Sequence, residues 1–307
     1  TPGPGRSWSA RLRPPQLIAV VYLLGTLLGT ALLHLPGMQR PGANLDTVDL
    51  LFTATSALCI TGLVVADTAE AFTRLGQVVI ILLSQVGGLG IIAFGTLFAL
   101  LAGRRVNFTE RQHLAQQINA LNVGSVVSLM RIIFLYTLAA ELVGAGLLAL
   151  RFVPQFGWAE GLYQAAYHSV SAYNNAGFVV MPGGMGQYAQ DPLVSGVIAL
   201  LIILGGLGFL VQLNLLTHVL NPRVNRLLVY SKLTLSTTAA LLLLGTVTLL
   251  LLEWRNPGTL GPLGLGGKLL TSFFHSVTPR SAGFSTLDLE AMSSASIFLT
   301  IALMFIG

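Results

Sequence analysis

TSALCITGL at residues 55–63, HSVSAYNNAGF at 168–178 and HSVTPRSAGF at 275–284 are three versions of one pattern. Each lies between two long apolar runs and has a glycine near its end: Gly62, Gly177 and Gly283. This arrangement predicts a short re-entrant segment between two membrane helices, which is how a protein builds part of an ion pore. Aligning the three glycines gives spacings of 115 and 106 residues, so the pattern is an internal repeat.

Composition also indicates a membrane protein. Of the 307 residues, 54% are hydrophobic and 9% are charged, whereas soluble domains contain about 25% charged residues. The mean hydropathy is +0.78. Because a helix needs about 20 apolar residues to cross ~30 Å of hydrocarbon, the sequence predicts five complete spans and a sixth that begins at Ser296. The five spans are residues 16–35, 78–101, 126–150, 193–216 and 233–252.

The charged residues predict the orientation of these spans. Basic residues collect on one side, and the positive-inside tendency makes that side cytoplasmic, together with the N-terminus. Acidic residues collect on the opposite side, where two interpretations remain open: an outer surface that concentrates cations, or ordinary polar loops. The basic residues are Arg6, Arg11, Arg13, Arg104, Arg105, Arg111, Arg223, Arg226 and Lys232; the acidic residues are Asp46, Asp49, Asp67, Glu70, Glu160, Asp191, Glu253, Asp288 and Glu290.

Short helices are predicted before the three glycines, at residues 46–57, 160–172 and 265–278. Each offers only a few helical turns, which is too short to cross the membrane. Their negative C-terminal ends would face the membrane centre and favour a cation there. No acidic side chain occurs at residues 59–62, 174–177 or 280–283, so main-chain carbonyls are the expected ligands. One glycine per repeat, instead of the two in a potassium channel's filter, predicts a looser or shorter set of ion sites.

The motifs around these segments are similar to those of the Trk/Ktr/HKT superfamily of potassium transporters, most closely to bacterial Ktr membrane subunits of the KtrB type. The resemblance covers nearly the whole chain. It rests on TSALCITGLVVADT at 55–68, QVGGLGIIAFGTL at 85–97, SAYNNAGF at 171–178, LGGLGFLVQLN at 204–214 and SVTPRSAGFST at 276–286.

The resemblance implies an all-α membrane protein in which tandem helix–pore loop–helix repeats, like those of a potassium channel, surround a pseudo-fourfold pore. It implies potassium uptake across the bacterial inner membrane by the pore-forming subunit of a Ktr-type, sodium-dependent transporter. K⁺ would be the transported ligand and Na⁺ an activator, without a cofactor in the chain or an enzymatic activity. The ion-binding residues would be Ile60, Thr61, Gly62, Asn175, Ala176, Gly177, Ser281, Ala282 and Gly283, supported by Cys59, Asn174 and Arg280.

The same resemblance implies a homodimer and a cytosolic ring of nucleotide-binding regulatory subunits (KtrA-like), with no nucleic acid as a partner. The ring would contact residues 104–116 and 221–232. The implied organisation is a cytoplasmic segment at 1–15, repeat 1 at 16–103, repeat 2 with its cytoplasmic connection at 104–222, and an incomplete repeat 3 at 223–307. Because the family has a fourth repeat, which is absent here, we expect the sequence to be part of a longer chain.

Several polar residues near the glycines have two open interpretations. His168 and His275 recur eight or nine residues before a repeat glycine and could steady the loop or contact ions. Asn174 and Asn175 could donate structural hydrogen bonds or act directly. Arg280 is the one charge in these segments, and we expect its guanidinium to point behind the loop, anchored by carbonyls or an acid, because an unpaired arginine there would repel cations.

Other residues are ambiguous for different reasons. Cys59, the single cysteine, is a small packing residue or a reactive thiol. Glu141 is an acidic residue predicted in the outer third of a span. Its side chain could pair with another group or extend to the membrane surface, or it could take part in transport. GLGIIA at 88–93 resembles a dinucleotide fingerprint, but it lacks a preceding strand, so close packing of helices by small residues is the better interpretation. The glycosylation sequon at 107–109 would be cytoplasmic and therefore accidental.

Two classes of function fit these observations. In the first, the chain is a passive or ion-coupled potassium-conducting subunit, with a Trk-type potassium or other monovalent cation transporter coupled to a different ion as the alternative. In the second, it is a carrier or enzyme-like membrane protein whose glycine motifs only pack helices. A carrier is expected to have charged residues near the membrane midplane, and the predicted spans contain few. The tandem re-entrant segments therefore favour conduction.

Overall fold

The computed structural model describes residues 14–90, 126–220 and 226–306, which form helices joined by turns and contain no strand longer than one bridge between Gln39 and Phe72. The helices, in chain order, are α1 (Pro14–Leu33), α2 (Thr47–Cys59), α3 (Thr68–Ala71), α4 (Arg74–Leu89), α5 (Val126–Phe156), α6 (Trp158–Tyr173), α7 (Pro192–Gly206), α8 (Phe209–Leu220), α9 (Val229–Glu253), α10 (Leu265–Val277) and α11 (Ser294–Ile306), with a 3₁₀ helix at Met185–Tyr188.

The helices form three similar units. In each unit a first helix packs against a short helix, a glycine turn follows, and a second helix continues: α1, α2 and α4, then α5, α6 and α7, then α9, α10 and α11. The units also touch each other, because α4 packs against α6 and α7 packs against α10. The three short helices α2, α6 and α10 agree with the helices that the sequence predicts at 46–57, 160–172 and 265–278.

Local sequence explains where these helices begin. Asp46 and Asp49 form a reciprocal capping box at the start of α2, which satisfies backbone N–H groups that a helix N-terminus leaves free. Asp67 accepts a hydrogen bond from Ala69 N at the start of α3, and Asp191 accepts from Leu193 N and Val194 N at the start of α7. Acidic residues of the predicted outer side thus have structural roles, which favours the interpretation of ordinary loops for these positions.

Long apolar helices account for part of the predicted membrane topology. Within the described residues, Met130–Phe156 of α5 and all of α9 are long and apolar enough to cross a membrane, and α7 with α8 is a third span if a bent pair counts as one. The remaining candidates are shorter apolar helices in α1, α2, α4 and α11. The third and fifth predicted spans are therefore confirmed by length and composition, and both helices extend beyond the predicted limits of 126–150 and 233–252.

The fourth predicted span, 193–216, is wrong as one straight helix. It consists of α7 and α8, which meet at an angle of 108°. Gly208 has φ +79°, which is outside the helical region, and glycine reaches this conformation without a steric penalty. Beyond the break, the Gln212 side-chain amide donates a hydrogen bond to the Leu204 carbonyl. This bond supplements the long backbone bond (3.4 Å) that Leu204 O accepts from Leu207 N at the end of α7.

The second predicted span, 78–101, is also interrupted. Its helix, α4, begins earlier than expected, at Arg74, and ends at Leu89, because Gly90 has φ +81° and ψ 127°. Residues 91–101 lie outside the described part of the chain, as do the sequon at 107–109, the surface at 104–116 and the last residues of GLGIIA.

The buried core links the units through the segments that follow the glycines. Ala176 and Phe178 are fully buried in a cluster with Leu50 and Ala54 of α2. Ala282 and Phe284 are likewise fully buried, in a cluster built mainly from α5, α6 and α7. The glycine segment of each later unit therefore packs into the preceding unit, and apolar burial of this kind is the main force that holds such elements together.

Candidate ion-coordination site

Three turns of equivalent geometry follow the short helices: turn 1 (residues 60–62), turn 2 (175–177) and turn 3 (281–283). In each turn the last residue is glycine with φ +71°, and the residue two positions earlier also has positive φ: 56° for Ile60, 55° for Asn175 and 62° for Ser281. Positive φ is uncommon outside glycine. Its recurrence at the same position in three different sequences makes the turns one structural element.

The three glycines meet around one axis. A methyl group added to Gly62 would lie 3.3 Å from Gly283 Cα and 3.4 Å from Gly177 Cα, and one added to Gly177 would lie 2.9 Å and 3.0 Å from the other two Cα atoms. A methyl group added to Gly283 would lie 3.0 Å from Gly177 Cα and 3.3 Å from Gly62 Cα. The chain therefore needs glycine here for close approach of backbones as well as for positive φ.

Main-chain oxygens lie beside this axis. The added methyl group at Gly62 would be 3.2 Å from Ala176 O, that at Gly177 would be 2.7 Å from Ala282 O, and that at Gly283 would be 3.4 Å from Gly62 O. Within the described residues, none of the nine carbonyl oxygens of the three turns accepts a protein hydrogen bond. Ala176, Gly177 and Ala282 are buried, whereas Thr61, Ser281 and Gly283 are exposed, so the turns border open space as well as protein. A group of carbonyls without a protein partner at one axis is suited to a dehydrated cation.

Two buried histidines support the segments after turns 2 and 3. His168 Nδ1–H donates to Gln164 O (2.7 Å), which leaves Nε2 to accept from Val180 N (3.2 Å). His275 Nε2 accepts from Thr286 N (3.3 Å) and Leu287 N (3.1 Å). Both imidazoles thus bind backbone amides beyond the glycine, which agrees with the interpretation that they steady the loops.

Asn174 connects the site to its surroundings. Its Nδ2 donates to Gln85 Oε1 of α4 (2.7 Å), to Glu141 Oε1 of α5 (3.0 Å) and to Val170 O (2.9 Å). Glu141 is buried and lies at the midpoint of α5, rather than in its outer third as the sequence suggests. The structure favours the pairing interpretation for Glu141, because its carboxylate binds the Asn174 amide directly behind turn 2.

Glycines of α4 and α7 allow these helices to lie close to the ends of α2 and α6. A methyl group on Gly88 would overlap the Asn174 side chain, one on Gly87 would overlap Leu58 O, and one on Gly205 would overlap Tyr173 O. The described part of GLGIIA and the glycines of LGGLG therefore pack α4 and α7 against the ends of α2 and α6. This confirms the packing interpretation for Gly88, the first glycine of GLGIIA; Gly87 and Gly205 have the same role without having been predicted from the sequence.

Arg280 differs from the expectation. Its guanidinium points towards α9, where Nη2 donates to Thr238 Oγ1 (2.8 Å), so its partner is a hydroxyl rather than a carbonyl or an acid. The other terminal nitrogen, Nη1, is buried without a hydrogen-bond partner among the described residues. The physical reason is position: the side chain leaves the axis and reaches a membrane helix whose polar group at that level is a threonine.

A cavity of about 330 Å³ lies next to the turns, and its lining brings together the first residues of all three. Ile60, Asn175 and Ser281 line it, as do Cys59 and Asn174 at the ends of α2 and α6. Cys59 is exposed, so the packing interpretation does not describe it. The C-terminal ends of two short helices thus border this space, where their partial negative charge favours a cation.

The sequence analysis missed three hydroxyl residues that bind the backbone of the turns: Ser56, Ser171 and Thr278. The sequence does contain a recurring pattern, because each of these hydroxyl residues lies five or six residues before a repeat glycine. Such residues are common near helix ends, so the recurrence alone does not identify the hydrogen bond.

Comparison with known proteins identifies the family. The model of the TrkH family, described as cation transport protein, matches residues 28–307. The chain belongs to the TrkH family. It is 41% identical over 298 residues to the Ktr system potassium uptake protein B of Bacillus subtilis, covering 97% of this chain and 66% of that relative. It is 39% identical over 297 residues to the potassium/sodium uptake protein NtpJ of Enterococcus hirae, covering 97% of this chain and 65% of that relative.

The fold agrees with this TrkH family assignment. The crystal structure of the potassium transporter TrkH from Vibrio parahaemolyticus superposes with a TM-score of 0.68 at 17% identity, over 98% of this chain and 58% of that one. These relatives are transport proteins rather than enzymes. The chain spans about two thirds of the length of the curated relatives named above.

Proposed function

We propose that this chain supplies three walls of a potassium-selective path through a membrane, as the pore-forming subunit of a Ktr-type uptake system. The observation that carries the proposal is the group of free backbone carbonyls in turns 1 to 3, which meet around three glycines. Carbonyl oxygens can replace the hydration shell of a potassium ion. The names of the relatives, which include potassium uptake proteins, support potassium as the substrate.

In this proposal turns 1 to 3 are pore loops of tandem repeats around a pseudo-fourfold axis, and α2, α6 and α10 are pore helices. The nine residues of the turns provide the carbonyl ligands, and the cavity beside Cys59 and Asn174 receives the ion on the side where the short helices end. Because protein backbone inside a membrane must be buried or line a watery cavity, this cavity would hold water and the hydrated ion.

The surroundings of the path follow from the family. We propose a location in the bacterial inner membrane with a cytoplasmic N-terminus, a homodimeric assembly, and a KtrA-like regulatory ring that contacts residues 104–116 and 221–232. Sodium as an activator belongs to the same proposal. The name of the Bacillus relative, which is protein B of a system, supports a multi-component assembly.

A second candidate is a less selective monovalent cation path, coupled to another ion in the Trk manner. The observation that favours it is the single glycine per turn, since each turn offers only three carbonyl levels. The Enterococcus relative is named as a potassium/sodium uptake protein. Competition between Na⁺ and Rb⁺ for uptake distinguishes the two candidates.

The direct test is growth of a potassium-uptake-deficient bacterium at limiting potassium, carrying the full-length gene or its Gly62→Asp and Gly177→Asp variants. Each variant places a carboxylate among the three glycines, where space for a side chain is lacking. Gly183→Asp is the matched control, because Gly183 also has positive φ, +78°, but nothing lies within 4 Å of its added methyl group. We expect rescue by the parent and by the control only. Equal rescue by Gly177→Asp would contradict the site.

Cys59 provides a second test. A positively charged methanethiosulfonate reagent that reaches the cavity should modify Cys59 and block Rb⁺ uptake, whereas the Cys59→Ser variant should transport and resist the reagent. Equal block of the serine variant would show that the inhibition occurs elsewhere. Modification of Cys59 without any loss of uptake would contradict the assignment of this cavity to the ion path.

A further inference from the structure

A side-chain hydroxyl in the last turns of α2 and α6, and in the residue that follows α10, binds the residue after each repeat glycine. Ser56 Oγ donates to Leu63 O (2.7 Å), Ser171 Oγ donates to Phe178 O (2.9 Å), and Thr278 Oγ1 donates to Phe284 O (2.8 Å). In every unit the acceptor is the main-chain carbonyl of the residue that follows the repeat glycine. A contact that recurs in three units of different sequence is a property of the turn rather than a local accident.

The same three residues also hold the turn at its other end. The carbonyl of Ser56 accepts from Thr61 N (2.9 Å), that of Ser171 from Ala176 N (2.8 Å) and that of Thr278 from Ala282 N (3.1 Å). One residue therefore fixes the backbone just before the glycine and just after it. Between these two fixed points lie the carbonyls of the last two residues of each turn, which have no protein partner among the described residues.

We infer that the hydroxyls of Ser56, Ser171 and Thr278 are positioning residues that set the outer limit of the carbonyl-lined path, an inference that rests on the proposed function. Each hydroxyl turns the carbonyl after the glycine away from the axis and towards the helix. The run of available oxygens consequently ends at Gly62, Gly177 and Gly283. Number and arrangement of carbonyl dipoles govern selectivity among monovalent cations, so these hydroxyls determine which ion fits.

The chain contains matched controls for this role. Ser169 is fully buried like Ser171 and donates to a backbone carbonyl, Glu141 O (2.7 Å), but on the side of α6 that faces α5. Ser276 stands in the same relation to Thr278, because it donates to Leu242 O of α9 (2.9 Å). Removing the hydroxyl of Ser169 or Ser276 likewise removes one hydrogen bond to a backbone carbonyl. Leu242 O keeps a second donor in Thr246 Oγ1 (2.6 Å), so stability is compared for every variant beside its uptake.

The experiment measures Rb⁺ uptake by the full-length protein in vesicles, with Na⁺ as competitor, for Ser171→Ala, Ser169→Ala, Thr278→Val, Thr278→Ser and Ser276→Ala. Thermal stability is measured in parallel. We expect Ser171→Ala and Thr278→Val to change KM for Rb⁺ or the Rb⁺/Na⁺ preference by about tenfold, the effect of losing one such hydrogen bond. Ser169→Ala and Ser276→Ala should keep both values, and Thr278→Ser, which retains the hydroxyl, should behave as the parent.

The outcomes separate this inference from the proposed function. If the parent transports Rb⁺ but Ser171→Ala and Ser169→Ala have the same KM and preference, the positioning role is wrong and the function stands. If Thr278→Ser behaves as Thr278→Val, the hydroxyl is not responsible and the inference is equally overturned. If the parent transports neither Rb⁺ nor Na⁺, both proposals fail together.

Discussion

Turn 1 and turn 2 have the same backbone dihedral pattern, but their surroundings differ. After turn 2, Phe178 and Val180 are 0% and 3% exposed, and Val180 N is bound by His168. After turn 1, Leu63 and Val65 are 60% and 51% exposed, and the residue at the position of His168 is Thr53, whose hydroxyl binds its own helix at Asp49 O. Within the described residues, the segment after turn 2 is therefore buried and held by a histidine, whereas the corresponding segment after turn 1 is exposed and has a threonine in the place of that histidine.

The residue with positive φ also differs between the two turns. Turn 2 has Asn175, a residue type that tolerates the left-handed region, whereas turn 1 has Ile60 at φ 56° and ψ 47°. A β-branched side chain in this region is strained by roughly 1–2 kcal/mol. Turn 1 thus carries more backbone strain than turn 2. Strained backbone persists where the surroundings hold it, and Ile60 packs against the buried cluster that contains Leu50 and Ala54.

The largest expected effect comes from adding a methyl group at the axis. In Gly177→Ala the new carbon would lie 2.7 Å from Ala282 O, whereas in Gly62→Ala the nearest atom, Ala176 O, is 3.2 Å away. Both variants share the conformational penalty of positive φ. We therefore expect Rb⁺ uptake to be lost in Gly177→Ala and reduced in Gly62→Ala. Gly157→Ala is the control for the dihedral angle alone, because Gly157 has φ +82° and open space around it. Equal Rb⁺ uptake by all three variants would contradict the close approach of the glycines.

The next effect concerns the support of turn 2. His168→Ala removes the acceptor for Val180 N and opens a buried cavity, which should lower the unfolding free energy by about 2–4 kcal/mol. Thr53→Ala, at the corresponding position of unit 1, should cost less than about 1 kcal/mol, because the lost bond is within its own helix. Thermal unfolding in detergent measures both. A loss in Thr53→Ala as large as in His168→Ala would show that the two units are supported alike.

Sequence predicts the parts of this site that depend on local pattern. The three short helices, the glycine register and the packing role of Gly88 follow from apolar runs, from the repeat and from small residues within a helix. The bend between α7 and α8 does not follow from hydropathy, because both halves are apolar and only the dihedral of Gly208 separates them. The partners of Arg280 and Glu141 are also inaccessible to sequence, since Thr238 and Asn174 become neighbours only when the units pack.

A third prediction exchanges the residues with positive φ. Ile60→Asn should raise the unfolding free energy by about 1 kcal/mol, because asparagine adopts the left-handed region with less strain. Asn175→Ile should lower it by at least that amount. Thermal unfolding of both variants beside the parent gives the sign of each change. If Ile60→Asn destabilised the protein, packing of the isoleucine side chain at the cavity would outweigh the strain of turn 1.

The smallest expected effect is a pH dependence at the N-terminal end of α7 in unit 2. Burial alone would raise the pKa of Asp191, but hydrogen bonds from Arg151 and from Val194 N and Leu193 N hold this pKa below its usual value.

The ionised carboxylate caps α7, so its contribution is present above the pKa of the unfolded chain and is lost as pH falls through the lower folded pKa. Asp191→Asn should therefore flatten the loss of thermal stability on acidification, with only a slight change at neutral pH, because exposed ion pairs contribute little. The Arg74–Glu160 pair, which joins α4 to α6, provides the comparison: Arg74→Ala should leave the acid limb unchanged. The same flattening in Arg74→Ala would assign the pH dependence to contact between the units rather than to the cap of α7.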